Sequence, residues 1–137
     1  MSDLLTFHRW PDPPIDRYDN PPDSIVSRLC WLPIVGPTSW LIWGTIATQL
    51  QHDDTITWEP AALAEAHGIA RSNSHNGPLR RTLTRLTNFH LFNAHHDDRY
   101  LVRMTAPPLT RRQLLRLPIY VAAVHDDAYK IPCPTAG

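Results

Sequence analysis

Nine arginines between residues 71 and 116 could bind a polyanion. They are Arg71, Arg80, Arg81, Arg85, Arg99, Arg103, Arg111, Arg112 and Arg116. Only Asp97 and Asp98 oppose them, so this segment carries a balance of +7, whereas residues 1–70 carry −6. Guanidinium groups match phosphates and guanine edges with paired hydrogen bonds. The net charge of zero therefore conceals a basic segment typical of nucleic-acid binding, or else an arginine-rich solvated surface.

The other residues with reactive side chains form no catalytic or metal-binding pattern. His95, His96, Asp97 and Asp98 carry ligand-type atoms, but neighbours on a turn diverge and none has a partner four residues away. Neither a Cys-x-x-Cys nor a Gly-x-Ser-x-Gly sequence is present. We therefore expect no catalytic residue, no metal site and no cofactor.

Length and composition indicate one cytoplasmic domain. A chain of 137 residues with 42% hydrophobic residues can bury a single core. No apolar run approaches the ~20 residues of a membrane span, and the N-terminal residues lack the pattern of a signal peptide. In a reducing compartment, Cys30 and Cys133 are expected to be free thiols.

Prolines dominate the first part of the chain. They are Pro11, Pro13, Pro14, Pro21, Pro22, Pro33 and Pro37. Because proline fixes φ and removes a donor, residues 1–24 are predicted to form neither regular helix nor central strand. The chain should begin with an extended arm, residues 1–30, that lies in a groove of the body or of a second subunit.

Periodicity predicts the elements that follow this arm. A nearly all-apolar helix starts at Pro37 and runs to about Leu50. Residues 55–58 alternate like a short edge strand, and residues 61–67 form a helix that Gly68 ends in the left-handed conformation.

The basic segment is predicted to hold a helix and a hairpin. Asn76 can cap a helix over 77–90. Its apolar face carries Leu79, Leu83, Leu86 and His90, and its opposite face carries Gly77, Arg81, Thr84, Arg85 and Asn88, with Arg80 at the edge. Strands at 91–94 and 100–104 flank a polar turn. Thr110 can cap a further helix, and a last helix follows Pro118.

This order of elements resembles the winged helix-turn-helix over residues 37–104. The segment 63–69 is similar to the first helix and turn of that motif, and 78–92 to its recognition helix and the strand that enters the wing. The resemblance implies an α+β, mostly helical fold with the order α-β-α-α-β-β. The expected division is an arm at 1–30, the winged domain at 31–106, C-terminal helices at 107–131 and a flexible tail at 132–137.

The chain is also similar to a group of actinobacterial winged-helix proteins that have no established activity. They share a Leu-Pro-x-x-Gly-Pro-Thr entry, here residues 32–38, and an Asn-x-Pro-Leu-x-Arg-Thr-Leu-x-Arg-Leu helix, here residues 76–86. Two features depart from the winged-helix pattern. The loop over 70–77 is about four residues longer than in a tight turn, and His90 stands where glycine is usual.

The resemblance implies a sequence-dependent double-stranded DNA-binding protein that regulates transcription. Helix 77–90 would read the major groove, and the 93–100 wing would contact the backbone or the minor groove. The residues expected to contact DNA are Arg71, Asn73, Ser74, His75, Asn76, Arg80, Arg81, Thr84, Arg85, Asn88, His95, His96 and Arg99. Arg81 or Arg85 could instead be a scaffold residue.

The same sequence allows other partners. A homodimer would present two recognition helices to two half-sites, and its expected interface is Phe7, Trp10, Trp40, Trp43, Ile46 and Leu50. The five tryptophans also suit a protein-docking module without DNA binding. Architectural or replication-linked DNA binding is a further alternative, and no membrane partner is expected.

Overall fold

The computed structural model describes residues 4–70 and 77–129. The fold is α+β, with helices packed on a four-stranded mixed sheet. The strands are β1 (Leu5–Trp10), β2 (Thr55–Trp58), β3 (Phe92–His95) and β4 (Arg99–Arg103). The helices are α1 (Pro13–Asp16), α2 (Ile25–Cys30), α3 (Leu32–Val35), α4 (Pro37–Leu50), α5 (Pro60–Ala66), α6 (Pro78–Asn88), α7 (Arg111–Leu114) and α8 (Ile119–Tyr129).

The N-terminal segment forms a central strand of this sheet. The strand order is β2-β1-β4-β3, and β1 pairs antiparallel with β2 and parallel with β4. Leu5 and Phe7 alternate with more exposed residues and are themselves fully buried. Proline restricts only itself and the residue before it, and Pro11 follows the last strand residue, Trp10. The prediction that residues 1–24 contain no central strand was therefore wrong.

Short helices replace the rest of the predicted arm. Pro13 and Pro14 occupy the first turn of α1, a position where proline is tolerated. The Ser24 side chain accepts a hydrogen bond from the amide of Ser27 and so caps α2. The prolines thus start helices here rather than prevent them.

Helix α4 is buried on most of its circumference, as the sequence predicts. Ile42, Trp43, Ile46 and Leu50 are fully buried. The helix packs against three strands, β1, β2 and β4, and against α3 and α6. The indole N–H of Trp43 donates to the carbonyl oxygen of Arg103 at 2.8 Å. The sheet and its neighbouring helices therefore cover α4 within one chain.

This covering overturns most of the predicted dimer interface. Phe7, Trp43, Ile46 and Leu50 have no exposed surface, because β1 and the remaining strands pack on α4. Trp10 lies beneath the guanidinium of Arg103, and Trp40 is partly buried. The prediction was wrong because it assumed that the apolar residues of α4 would be too many for one chain to bury.

The elements predicted between residues 55 and 104 are confirmed with shifted ends. β2 is an edge strand, and Gly68 after α5 has a φ of 70°. The N-cap of α6 is Gly77, while the predicted cap, Asn76, lies outside the described residues. His90 follows the helix with a φ of 63° and is exposed, so it does not extend the apolar face.

The C-terminal helices begin and pack through specific hydrogen bonds. Thr110 and Gln113 form a reciprocal capping box at α7, which confirms the predicted cap. α8 packs on α2. The buried ring of His125 accepts a hydrogen bond at Nε2 from the amide of Leu109, at 2.9 Å.

Candidate nucleic-acid interface

Helix α6 separates an apolar face from an exposed polar face. Its buried residues are Leu79, Leu83 and Leu86, and its exposed residues are Arg81, Thr84, Arg85 and Asn88. The division follows the period of 3.6 residues and confirms the predicted faces, apart from His90 and Gly77, which is buried at the helix start. The sheet and α4 thus hold the helix by its leucines and leave its cationic face outward.

The first turn of α6 is fastened to the hairpin β3–β4. Two nitrogens of Arg80 donate to the two carboxylate oxygens of Asp98, at 2.8 and 3.1 Å. This hydrogen-bonded partner raises the pKa of Arg80 above its usual value. The amide of Thr6 donates to the carbonyl oxygen of Asp98 at 3.0 Å. Arg80, expected to contact DNA, is instead occupied in fixing the hairpin beside α6.

The tip of this hairpin is polar and exposed. Residues 96–98 form the loop between the paired residues His95 and Arg99, and Asp97 and Asp98 have φ values of 63° and 55°. Aspartate is among the residues that tolerate this left-handed conformation. His95, His96 and Arg99 are all exposed around it. The tip can therefore present donors to an acidic surface.

Arg103 has a structural role that its sequence context does not predict. Its Nε donates to the carbonyl oxygen of His90 at 2.7 Å, and its Nη1 donates to the Asp12 carboxylate at 2.6 Å. Its guanidinium also stacks on Trp10, 4.0 Å from the ring centre. These contacts join the end of α6, the hairpin and the N-terminal segment.

A cleft of about 700 Å³ lies between the start of α4 and the outward face of α6. Arg81 and Arg85 line it, together with residues 35–39 and 68–70. Nη1 of Arg85 donates to the carbonyl oxygen of Val35 at 3.3 Å. Arg85 therefore makes one contact with the scaffold, while Arg81 makes no side-chain hydrogen bond to any residue that the structure describes.

The remaining predicted contacts belong to the loop before α6. Arg71, Asn73, Ser74, His75 and Asn76 lie outside the described residues. Arg111, Arg112 and Arg116, on and after α7, were not predicted to contact DNA, and they are exposed.

The described ranges, 4–70 and 77–129, hold no group of three or more His, Cys, Asp or Glu side chains that could bind a metal. Burial raises the pKa of the Cys30 thiol to about 11, which disfavours the reactive thiolate. No helix in these ranges has the length and apolar character required to cross a membrane.

Comparison with known proteins leaves the family open. No family model, curated protein or solved structure matches the chain. A function for this protein therefore has to be inferred from its geometry and charge.

Proposed function

We propose that the protein is a winged helix-turn-helix transcriptional regulator that binds double-stranded DNA in a sequence-dependent manner. In this proposal α4, β2, α5, α6 and the hairpin β3–β4 form the winged unit. α6 reads the major groove, and the hairpin contacts the backbone or the minor groove.

One observation carries this proposal. The exposed face of α6 presents Arg81, Thr84, Arg85 and Asn88, and the Arg80–Asp98 pair fixes the polar hairpin tip beside the start of the same helix. An α-helix with outward arginines fits the major groove, and Arg99 at the neighbouring polar tip can reach adjacent phosphates. Two DNA-contacting elements are thus held in one fixed relation.

The sheet gives the proposed winged unit an additional strand. β2, which lies between α4 and α5 in the chain, pairs with β1, and β1 pairs in turn with β4 of the hairpin. The N-terminal strand therefore lies between the two parts of the unit. It supports the hairpin by pairing with β4 in the same sheet, and the outward face of α6 remains exposed.

A fluorescence titration of random and selected duplexes at several salt concentrations tests the proposal. We expect binding whose log K falls with log salt at a slope of about −4 to −5, for four to six phosphate contacts per subunit. A selected duplex should bind more tightly than a random one at the same salt. Absence of binding at ~50 mM salt and micromolar protein contradicts the proposal.

Exposed apolar side chains favour a second candidate, a protein-docking module without DNA binding. Leu115, Ile119 and Tyr120 are 82%, 88% and 65% exposed. Neighbouring exposed apolar side chains of this size often mark an interaction surface. The docking function is favoured if the titration shows no DNA binding and if substitution of these three residues abolishes binding to a partner protein.

A further inference from the structure

The cleft between α4 and α6 has the electrostatic character of an anion site. It is lined by residues 35–39, 68–70 and by Pro78, Arg81, Thr82 and Arg85. Among these residues, all within the described part of the chain, none is acidic. A concave site lined by one sign of charge concentrates ligands of the opposite sign.

The first turn of α4 presents two free amide groups at this cleft. α4 has 14 residues, its N-cap is Gly36 and no side chain caps it. The first amide bonded within the helix is that of Trp40, which donates to Gly36 at 3.0 Å. Within the described residues, the amides of Thr38 and Ser39 have no acceptor. Such amides and the helix dipole favour an anion.

The side chain of Ser39 is an independent indication of a ligand. It lines the cleft, is only 4% exposed, and its hydroxyl forms no hydrogen bond with a described residue. Its oxygen is not among the enclosed, unpartnered side-chain atoms of the described residues, so it keeps access to the cleft. A ligand oxygen in the cleft would supply the missing acceptor.

Two guanidinium groups complete the set of donors. Arg81 and Arg85 are one turn apart on α6, and both line the cleft. Neither forms an ion pair with any residue in ranges 4–70 and 77–129. Arginine and backbone amides together make short, charge-assisted hydrogen bonds to phosphate oxygens.

We propose that this cleft binds a phosphate group through the amides of Thr38 and Ser39, the Ser39 hydroxyl, and the side chains of Arg81 and Arg85. The inference deepens the proposed function, because the two arginines also belong to the DNA-facing surface. The phosphate can come from the DNA backbone or from a small phosphorylated molecule. In the second case, that molecule and DNA compete for the same two arginines.

An NMR titration of the ¹⁵N-labelled protein with inorganic phosphate and with pyrophosphate, at constant ionic strength, tests the site. We expect saturable shifts of the Thr38 and Ser39 amides. Ser39→Ala and Arg85→Gln should each raise Kd about tenfold, the loss expected for one hydrogen bond to a charged group. Arg28→Gln, a charge change at an exposed position of α2, should leave Kd unchanged. Shifts that do not saturate, or Kd values that the two cleft variants leave unaltered, overturn the proposal.

A duplex-binding measurement with Ser39→Ala identifies the source of the phosphate. Weakened DNA binding by a similar factor on all sequences indicates a backbone phosphate, whereas unchanged DNA binding with impaired phosphate binding indicates a free ligand. The phosphate titration contains no DNA. Phosphate binding without DNA binding therefore supports the phosphate site and contradicts the proposed DNA-binding function. DNA binding without phosphate binding supports the proposed function and contradicts the phosphate site.

Discussion

Adjacent arginines at the start of α6 have different environments and should have different roles. Arg80 pairs with both carboxylate oxygens of Asp98, and its side chain is 22% exposed. Arg81 is exposed and has no side-chain partner in the described ranges. Neighbouring residues on a helix point about 100° apart, so one can support the scaffold while the next faces a ligand.

We expect Arg80→Ala to lower the free energy of unfolding by about 1–2 kcal/mol, since it leaves a partly buried carboxylate without its partner. Arg81→Ala should change the unfolding free energy by less than about 0.5 kcal/mol and weaken specific DNA binding by about 1–3 kcal/mol. Denaturant unfolding and fluorescence titration measure the two effects, with Arg28→Ala as the matched control for charge. Loss of stability in Arg81→Ala would instead make this residue part of the scaffold.

At the scale of single elements, the sequence correctly predicted the helices and strands whose apolar periodicity can be recognised from adjacent residues alone. α4, α6 and the hairpin were found because their leucines, aromatic residues and turn residues define the element locally. β1 also alternates, with Leu5 and Phe7 buried, but its pairing with β4 depends on residues far away in the chain. The alternation covers only six residues, so the surrounding prolines led to the wrong prediction of an extended arm.

The candidate site was also predictable only where it depends on residues that are close together in the chain. The outward residues of α6 follow from its 3.6-residue period, whereas the pairing of Arg80 with Asp98 requires the fold of the hairpin against the helix. The sequence does not distinguish Ser39 from other serines, because only the packing of α4 places this residue at the cleft with 4% exposure and no side-chain hydrogen bond to a described residue.

The burial of β1 predicts that its core residues contribute strongly to the free energy of unfolding. Phe7 is fully buried and packs against Phe92 and Tyr100, with ring centres 5.9 and 5.6 Å away. Phe7→Ala should therefore lower the free energy of unfolding by about 3–5 kcal/mol in urea titrations. Ile25→Ala, at a residue that is 60% exposed, should cost far less. If both substitutions have equally small effects on the free energy of unfolding, residues 5–10 do not form a buried strand but a loosely attached arm.

For the whole molecule, the exposed face of α8 offers a revised homodimer contact. It carries Ile119, Tyr120 and Ala123 toward its start and Asp126 and Asp127 toward its end. Arg112 and Arg116 precede it and are also exposed. A twofold axis that pairs two copies of α8 antiparallel would cover the apolar residues and bring each arginine pair toward the partner's aspartates.

We expect sedimentation at micromolar concentration to give twice the chain mass of 15.6 kDa. Ile119→Ser combined with Tyr120→Ser should shift the protein to the monomer, because the apolar centre of the contact is lost. Leu41→Ser, at another exposed apolar residue that is 51% exposed, serves as the control. A mass near 15.6 kDa for the unaltered protein alone, with one protein per site in the DNA complex, excludes the dimer.

The parallel pairing of β1 with β4 also affects the order in which the protein can fold during synthesis. Asp12, just after β1, and Arg103, the last residue of β4, form an ion pair although they are 91 residues apart in the chain. Ribosomes add about 5–20 residues per second, so β1 emerges several seconds before the strand that must lie beside it. Until then its Leu5 and Phe7 side chains and one row of its backbone hydrogen-bonding groups lack their native cover. The nascent chain therefore passes through a period in which chaperones have an apolar N-terminal segment to bind.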